Sequence, residues 1–283
     1  MSKLASEWGE TASMSSRPSL ESPAGKDTSR RSARGGSGPS RIVGGLSRII
    51  WPPVSLVTGL EVSGPGVLEP EYWRELDFLG GQGCARCGLP FEISVDPGQA
   101  CGACLARSPA FDRARAALVY GDVSRKIILS LKHQGRRDGL STLAGWMASA
   151  GGELLSDADL IVPVPLHYFR LVRRGFNQSV WLAAALGRRT GVPVRLGLLK
   201  RIRSTPSQAG QSATGRRRNV QGAFKVPKRA RKRIEGRRIL LVDDVFTTGA
   251  TAEACATALK KGGAAFVDVL TIARVVAPRP TPI

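Results

Sequence analysis

The sequence predicts an α/β protein with a parallel sheet flanked by helices, preceded by a small metal-binding module. Two observations carry this prediction: apolar runs that read as strands alternate with helical patterns, and two cysteine pairs precede the first run. A chain of 283 residues is long enough for one α/β domain plus an appendage. The predicted strands span 114–120, 159–165, 239–242 and 266–273.

Helical patterns fill the gaps between these strands. Asp122 is predicted to be the N-cap of a first helix, a second helix is predicted over 140–155, and a third follows the second strand. A short strand anchored by Phe224 is predicted over 220–226. The inward-facing residues are predicted to be Val123, Ile127 and Leu131 in the first helix and Phe176, Val180 and Ala183 in the third.

The formal net charge of +20 is unevenly distributed along the chain. Residues 200–238 contain 14 Lys or Arg and a single acid, Glu235. Such a concentration favours phosphate-rich partners, either small molecules or nucleic acid; a solvated loop in an Arg-rich protein is the competing interpretation. No uninterrupted run of about 18 apolar residues is present, so no membrane insertion is expected.

Both ends of the chain are expected to be disordered, over 1–45 and 277–283. The leader is rich in Ser, Gly, Arg and Pro and has few large apolar residues to bury. A start codon assigned too far upstream would also give such a leader. An organellar transit peptide is the weaker alternative, because it would be poor in acids. The leader carries four: Glu7, Glu10, Glu21 and Asp27.

Four cysteines have the spacing of a metal site. Cys84 and Cys87 form one CxxC pair, Cys101 and Cys104 form another, and thirteen residues separate the pairs. Four thiolates suit a closed tetrahedral site, so structural Zn²⁺ is the expected metal. This spacing and the lack of a signal peptide indicate a reducing cytoplasm. A pair of disulfides is disfavoured there, and a metal–sulfur cluster is a less favoured alternative.

An upstream segment looks like an eroded copy of this module, because residues 55–60 align with 84–89. The four ligand positions hold residues that cannot make a thiolate site: Ser55, Thr58, Glu69 and Tyr72. We therefore expect a double zinc-ribbon-like module over 46–110 whose first half has lost its metal. Aromatic packing is expected to replace the metal, through Trp51, Trp73 and Phe78.

The residues after the apolar run 239–242 predict an anion site. A short loop there leads into a helix, and the first N–H groups of a helix lack partners and attract negative charge. Gly249 lets the backbone approach a phosphate closely, and the neighbouring threonines offer hydroxyls. Asp243 and Asp244 cannot bind that phosphate, but they suit sugar hydroxyls or the water ligands of a metal. The implied ligand carries a phosphate and a diol; two solvated acids that cap a helix are the alternative.

This stretch resembles the phosphoribosyl pyrophosphate motif of type I phosphoribosyltransferases: an apolar run, two acids, two spacers, Thr-Thr-Gly, an apolar residue and Thr. The resemblance implies that Asp243 and Asp244, the candidate catalytic pair, hold the ribose 2′ and 3′ hydroxyls. It also implies a 5′-phosphate cradle made of Thr247, Thr248, Gly249, Ala250 and Thr251. Phosphoribosyl pyrophosphate with Mg²⁺ is then the expected ligand, and the sequence does not identify an acceptor base.

Over about residues 50–274 the chain resembles the ComF family, a competence-associated branch of these proteins. The resemblance rests on residues 162–165, 173–178, 222–224 and the central motif, which occur in the family order. It implies a type I phosphoribosyltransferase-like sheet over 111–276 behind a zinc-ribbon-like module, and a loop over 203–219 that closes on the ligand. Candidates to hold the pyrophosphate or belong to that loop are Lys132, Arg173, Arg174, Arg203 and Arg217.

Two functions follow from this resemblance. One is phosphoribosyl pyrophosphate binding, with or without transfer to a base. The other is a non-catalytic accessory role in DNA uptake, in contact with single-stranded DNA or a helicase partner. The basic loop has only Phe224 as an aromatic residue, which weakens direct DNA binding there. His133 and His167 are read as surface or phosphate-side residues, and Cys255 as a core thiol.

Overall fold

The computed structural model describes residues 53–64, 66–80, 83–133, 137, 139–203 and 220–276. The predictions for the leader, the tail, Trp51 and Arg217 lie outside these residues, as does the side chain of His133. Among the described residues, no helix is both long enough and apolar enough to span a bilayer.

The elements follow one another in the α/β order that the sequence predicts. The helices are α1 Pro70–Arg74, α2 Gly102–Ala106, α3 Asp122–His133, α4 Leu140–Ala150, α5 Gly152–Asp157, α6 Tyr168–Arg174, α7 Gln178–Thr190, α8 Arg231–Ile234 and α9 Ala250–Lys261, with a 3₁₀ turn at Lys228–Ala230. The strands are β1 Ala114–Val119, β2 Leu160–Pro163, β3 Lys200–Arg201, β4 Phe224–Lys225, β5 Arg238–Phe246 and β6 Phe266–Arg274.

Four parallel strands form the main sheet in the order β1-β6-β5-β2. The register of the central pair places Asp243 opposite Thr271 and Phe246 opposite Arg274. β3 and β4 form a separate antiparallel pair. The predicted parallel sheet flanked by helices is therefore confirmed, and the carboxyl ends of β5 and β6 lie side by side, where α/β proteins place their ligand sites.

Helices cover both faces of this sheet, which explains the unbroken apolar run in β5. Successive strand residues point to opposite faces. Leu240 and Val242 pack in the core cluster that contains α4 and α7, whereas Ile239 and Leu241 pack in the cluster that contains Cys255 of α9. A strand buried on both sides has no solvent face, so its sequence does not alternate with polar residues.

Several element boundaries differ from the prediction. The helix predicted over 140–155 is divided into α4 and α5 at Gly151, where a Cβ atom would lie 2.7 Å from the Leu270 side chain. β5 does not end before the two acids but continues to Phe246, because β6 pairs with it along that length. Asp122 begins α3 rather than capping it. The strand predicted over 220–226 is shortened to β4, in which Phe224 is buried as expected.

The buried face of α7 also differs from the prediction. Residues 168–174 form α6, and α7 begins only at Gln178, so Phe176 lies ahead of the helix. Phe176 stacks on Trp181 instead, with ring centroids 4.3 Å apart. The buried residues of α7 are Gln178, Ser179, Leu182, Ala183, Ala185 and Leu186, so only Ala183 was assigned correctly. The helix therefore turns two polar side chains toward the end of β5.

Candidate functional sites

A cavity of about 1040 Å³ lies where β5 ends and α9 begins. Asp243 and Asp244 line it together with much of the predicted phosphate cradle: Thr247, Gly249, Ala250 and Thr251. Three of the five basic candidates line the same cavity: Lys132, Arg173 and Arg174. The structure thus brings together acids and bases that lie between 69 positions (Arg174 and Asp243) and 112 positions (Lys132 and Asp244) apart in the sequence.

Different polar groups hold the two carboxylates. The Ser179 hydroxyl donates to Asp243 Oδ1 at 3.0 Å, and the Gln178 amide donates to Asp244 Oδ2 at 3.4 Å. The Lys132 ammonium also lies 2.5 Å from Asp244 Oδ2. Burial, and then the adjacent Asp244 charge, raise the pKa of Asp243 to about 7. A group that neutralises this crowded pair, such as a metal or a hydroxyl-rich ligand, would relieve the repulsion.

The loop between β5 and α9 has the geometry of an anion cradle. Gly249 precedes the helix with φ of 74°, a left-handed conformation that suits glycine. Its Cα packs so closely on Phe246 that a Cβ atom would lie 2.7 Å from the ring. The Thr248 hydroxyl is buried and has no hydrogen-bond partner among the described residues. A phosphate in this loop would accept from that hydroxyl and from the first N–H groups of α9.

Four arginines also line the cavity. Beyond the predicted Arg173 and Arg174, the structure adds Arg170 and Arg201 to the lining. Burial lowers the pKa of Arg201, and the neighbouring Arg170 charge lowers it further. Positive charges held close together and partly buried favour an anionic ligand, because its negative charge would offset their mutual repulsion. Arg203 does not line the cavity; its guanidinium donates to the carbonyl of Gln221 at 2.9 Å.

The four predicted metal ligands converge. Their sulfur atoms all lie within 4.8 Å of one another, and Cys87 Sγ is 3.7 Å from Cys101 Sγ. The edge of a tetrahedron with Zn–S bonds of about 2.3 Å measures about 3.8 Å, so the cluster fits zinc. Burial opposes ionisation of Cys84, but N–H groups led by that of Cys101 outweigh it and lower the pKa of Cys84 to about 6. The four cysteines therefore form a site that can hold a metal such as zinc.

Comparison with known proteins identifies the family. A model of the phosphoribosyl transferase domain matches residues 172–281. Competence protein F of Haemophilus influenzae is 33% identical over 196 residues, which cover 68% of this chain and 84% of that protein. The chain belongs to the ComF family. Its sheet, its cavity and its cysteine cluster are thus parts of a ComF-family protein with a phosphoribosyl transferase domain.

Two further ComF-family relatives cover similar lengths. DNA utilization protein YhgH of Escherichia coli K12 is 35% identical over 199 residues, which cover 68% of this chain and 83% of that protein. Competence protein ComFC of Bacillus subtilis is 26% identical over 208 residues, which cover 71% of this chain and 81% of that protein.

In this ComF-family chain, three of the four residues at the upstream ligand positions are joined by hydrogen bonds. The hydroxyls of Ser55 and Thr58 donate to the two oxygens of Glu69, each at 2.6 Å. Tyr72 instead packs its ring under Lys126, whose ammonium lies 5.3 Å from the ring centroid. Trp73 and Phe78 pack on each other as expected, at 5.5 Å, and both also contact Trp146.

Sequence reasoning missed four polar residues of the ComF-family cavity: Arg170, Gln178, Ser179 and Arg201. Gln178 is the last residue of the 173–178 stretch that carries the family resemblance, so a role for it was within reach. Of His133, His167 and Cys255, the last is a fully buried core thiol, as predicted. His167 precedes α6 and packs on Phe169, with ring centroids 5.4 Å apart.

Proposed function

We propose that this protein binds Mg²⁺–phosphoribosyl pyrophosphate in the cavity at the end of β5 and serves DNA uptake or utilization, as its relatives' names indicate. The observation that carries the proposal is the meeting of an acid pair, an anion cradle and four arginines in one cavity. Only a ligand with a diol between two separate phosphate groups uses all three features. A simple phosphate would leave the acid pair without a role.

Each part of the cavity would bind one part of this ligand. Asp243 and Asp244 would accept hydrogen bonds from the ribose hydroxyls, and the loop over 247–251 would hold the 5′-phosphate. Lys132 and the α6 arginines would face the pyrophosphate. Mg²⁺, bound mainly by the ligand's own oxygens, would neutralise charge on the departing pyrophosphate. If transfer occurs, these residues would contribute by orientation and by electrostatic stabilisation.

The ion pair between Lys132 and Asp244 suggests how binding proceeds. Without ligand, Lys132 compensates the charge of Asp244. A ribose hydroxyl that donates to Asp244 would release the ammonium toward the pyrophosphate. Lys132 would then serve two states, stabilising the acid pair in the free protein and the anion in the complex.

The domain layout and the cellular location are part of the same proposal. We infer a double zinc-ribbon-like module over 46–110 and a phosphoribosyltransferase-like domain over 111–276, between a leader over 1–45 and a tail over 277–283. The four cysteines are free thiols grouped as metal ligands and not paired in disulfides, which supports a reducing compartment; we infer the cytoplasm.

Calorimetric titration of phosphoribosyl pyrophosphate with Mg²⁺ tests this function. We expect the unaltered protein to bind and the Asp243→Asn/Asp244→Asn variant to lose roughly tenfold or more in affinity, about 1.4 kcal/mol. Asp122→Asn is the matched control, because that exposed acid lies outside the cavity. Equal binding by all three proteins, or none by folded unaltered protein, would reject the proposal. Pyrophosphate release during a screen of acceptor bases would then separate transfer from binding alone.

A second function, contact with single-stranded DNA, gains support from α6. Phe224, the aromatic residue of the basic loop, is buried and cannot stack on a base. Tyr168 and Phe169 are 69% and 70% exposed, however, and they lie in the same short helix, α6, as Arg170, Arg173 and Arg174. Aromatic rings beside basic groups are typical of surfaces that bind single strands.

Fluorescence anisotropy with labelled oligo(dT) tests this second function. Stacking contributes about 1–3 kcal/mol per base, so Tyr168→Ala/Phe169→Ala should weaken binding about tenfold or more. Affinity should also fall steeply as salt rises. Trp73→Ala, which alters a half-exposed aromatic residue of the N-terminal module, should leave DNA binding unchanged. If the Trp73 variant is weakened equally, α6 is not the contact surface.

A further inference from the structure

We propose that the turn around the first CxxC pair, residues 83–90 (the knuckle), holds the phosphate loop, residues 247–251, in place through Arg274 and Phe246. Metal occupancy and the order of this loop are then coupled. Arg274 and Phe246 are the last residues of β6 and β5 and lie opposite each other in the sheet. Both are positioning residues, since neither would form the phosphate cradle itself. The ligand part of the proposal rests on the proposed function; the structural part does not.

The first link joins the knuckle to Arg274. This side chain is only 5% exposed, and it donates from Nη1 to the carbonyl of Cys87, one of the four ligands. Among the described residues no carboxylate forms an ion pair with Arg274. A buried cation needs compensating charge. Four thiolates around one Zn²⁺ leave a net negative charge, so the metal-loaded cluster supplies that compensation.

The second link joins Arg274 to the phosphate loop. Its guanidinium carbon lies 5.2 Å from the centroid of the Phe246 ring, a cation–π contact. Phe246 in turn packs edge-on against Phe111, with centroids 5.7 Å apart. The Cζ end of the ring supports Gly249, at a distance that leaves no room for a Cβ atom. A shift of the ring would therefore displace the turn that begins α9.

Further contacts attach the module close to the same loop. The N–H of Ala114 donates to the carbonyl of Arg86 at 2.6 Å, which joins the knuckle to the start of β1. Arg107 of the module forms an ion pair with Glu253 in the first turn of α9. Exposed ion pairs contribute little, so the buried path through Arg274 is the one expected to transmit the coupling.

The coupling must act in both directions. Without metal, nothing would tie the four cysteines together and the knuckle would loosen, so Arg274 would lose its carbonyl acceptor and its compensating charge. Phe246 and Gly249 would then lose their support. By linkage, a ligand that orders the loop must strengthen metal binding by the same factor by which metal strengthens ligand binding.

The chain contains a matched control for this contact. At the opposite end of the same two strands, Arg238 lies over Phe266, with the guanidinium carbon 4.2 Å from the ring centroid. This pair has the same residue types in the same cross-strand arrangement. It lies far from both the cysteines and the phosphate loop, because β5 and β6 are nine residues long. Arg238→Met therefore controls for the loss of a cation–π pair as such.

Amide hydrogen exchange tests the structural coupling without any ligand. In zinc-loaded full-length protein, Arg274→Met should speed exchange over residues 247–252 several-fold, with zinc content unchanged. Arg238→Met should leave exchange there unchanged, and Arg274→Lys should restore part of the protection. Unchanged exchange in zinc-loaded Arg274→Met, or an equal effect of Arg238→Met, would overturn the proposal. If Arg274→Met does not fold, Phe246→Leu, which keeps an apolar side chain, takes its place.

Zinc release tests the reciprocal direction and needs only the unaltered protein. A zinc-binding dye should withdraw the metal more slowly when Mg²⁺–phosphoribosyl pyrophosphate is present at saturation than when Mg²⁺ alone is present. Equal release rates with ligand demonstrably bound would overturn the coupling. If calorimetry finds no ligand binding, the proposed function fails, and hydrogen exchange still decides the coupling. A purely structural role for Arg274 would change stability but would not make zinc release depend on the ligand.

Discussion

The two halves of the proposed double module each carry one turn, residues 55–60 and residues 84–89, and these two turns have the same local backbone but different chemistry. In the first, the N–H of Ser55 donates to the carbonyl of Leu60 at 2.8 Å; in the second, the N–H of Cys84 donates to that of Leu89, also at 2.8 Å. A left-handed glycine closes each turn: Gly59 with φ of 79° and Gly88 with φ of 68°. The first half nevertheless has no cysteine, so this backbone does not depend on a thiolate site.

The comparison shows what a knuckle needs from its side chains. The first position must accept N–H groups of the turn. Ser55 Oγ accepts from Val57 at 3.1 Å, and Cys84 Sγ accepts from Cys87 at 3.4 Å. The knuckle must also be tied to a distant segment. The carboxylate of Glu69 does this in the first half, and a metal held by all four cysteines would do it in the second. We propose that the first half is the metal-free counterpart of the second, held by weaker bonds.

Removal of the metal ligands should have the largest effect. In zinc peptides the metal contributes about 10 kcal/mol or more of folding free energy. We expect Cys84→Ser/Cys101→Ser to reduce zinc from about one per chain to near zero and to unfold residues 83–106, as measured by metal analysis and hydrogen exchange. Ser55→Ala/Thr58→Ala, the matched change in the first half, should keep its zinc. Reduced unaltered protein without zinc would contradict this prediction.

Local patterns made much of this structure predictable. The four cysteines lie within one short stretch, and the acids, threonines and glycine at the end of β5 lie within another, so the sequence alone groups them. The parallel sheet could be predicted from the apolar runs, because a strand covered by helices on both faces has no polar face. The upstream copy was visible because Gly59 and Leu60 keep the pattern of Gly88 and Leu89 after the ligands have changed.

The missed residues depend on tertiary packing. Gln178 and Ser179 read as a polar helix start, and only the orientation of α7 against β5 turns them toward the acids. Arg201 belongs to β3, whose antiparallel pairing with β4 places it in the cavity wall. The two strands of this pair are separated by more than 20 residues of basic chain, and no local pattern indicates their contact.

A second prediction concerns pH and stability: it asks whether the charged form of Asp243 in the cavity stabilises the protein, as the charged form of Glu69 is expected to do. Since the folded-state pKa of Asp243 is raised to about 7, folding is favoured by its protonated form, and stability falls as pH rises from about 4 through 7. Asp243→Asn should therefore become more stable than the unaltered protein at pH 8, by about 1.4 kcal/mol for each pKa unit of the shift. Denaturant melts at pH 5 and pH 8 measure the difference.

Asp268 supplies the control for this pH test. It is also a buried aspartate of the central sheet, but Arg113 pairs with it at 2.6 Å. Asp268→Asn should destabilise the protein at both pH values, because it removes the more buried of the two carboxylates, Asp268 and Asp157, that pair with the Arg113 guanidinium. If Asp243→Asn destabilises in the same way at pH 8, the acid pair is satisfied within the free protein, and no charge remains for a ligand to relieve.

The smallest effect is expected from Glu69→Gln, which tests the substitute for the metal directly. Burial opposes ionisation of Glu69, but the hydroxyls of Ser55 and Thr58 outweigh it and lower its pKa. The stability it contributes is therefore present above pH 4.5 and is lost as pH falls through the lowered pKa. An amide offers only one acceptor oxygen, so we expect a loss of about 1 kcal/mol at pH 7, with zinc content unchanged.

Glu71→Gln, an exposed acid two residues away, should cost nothing in the same melts. A loss that persists undiminished at pH 3 would show that shape alone, and not the charged hydrogen bonds, holds the first knuckle.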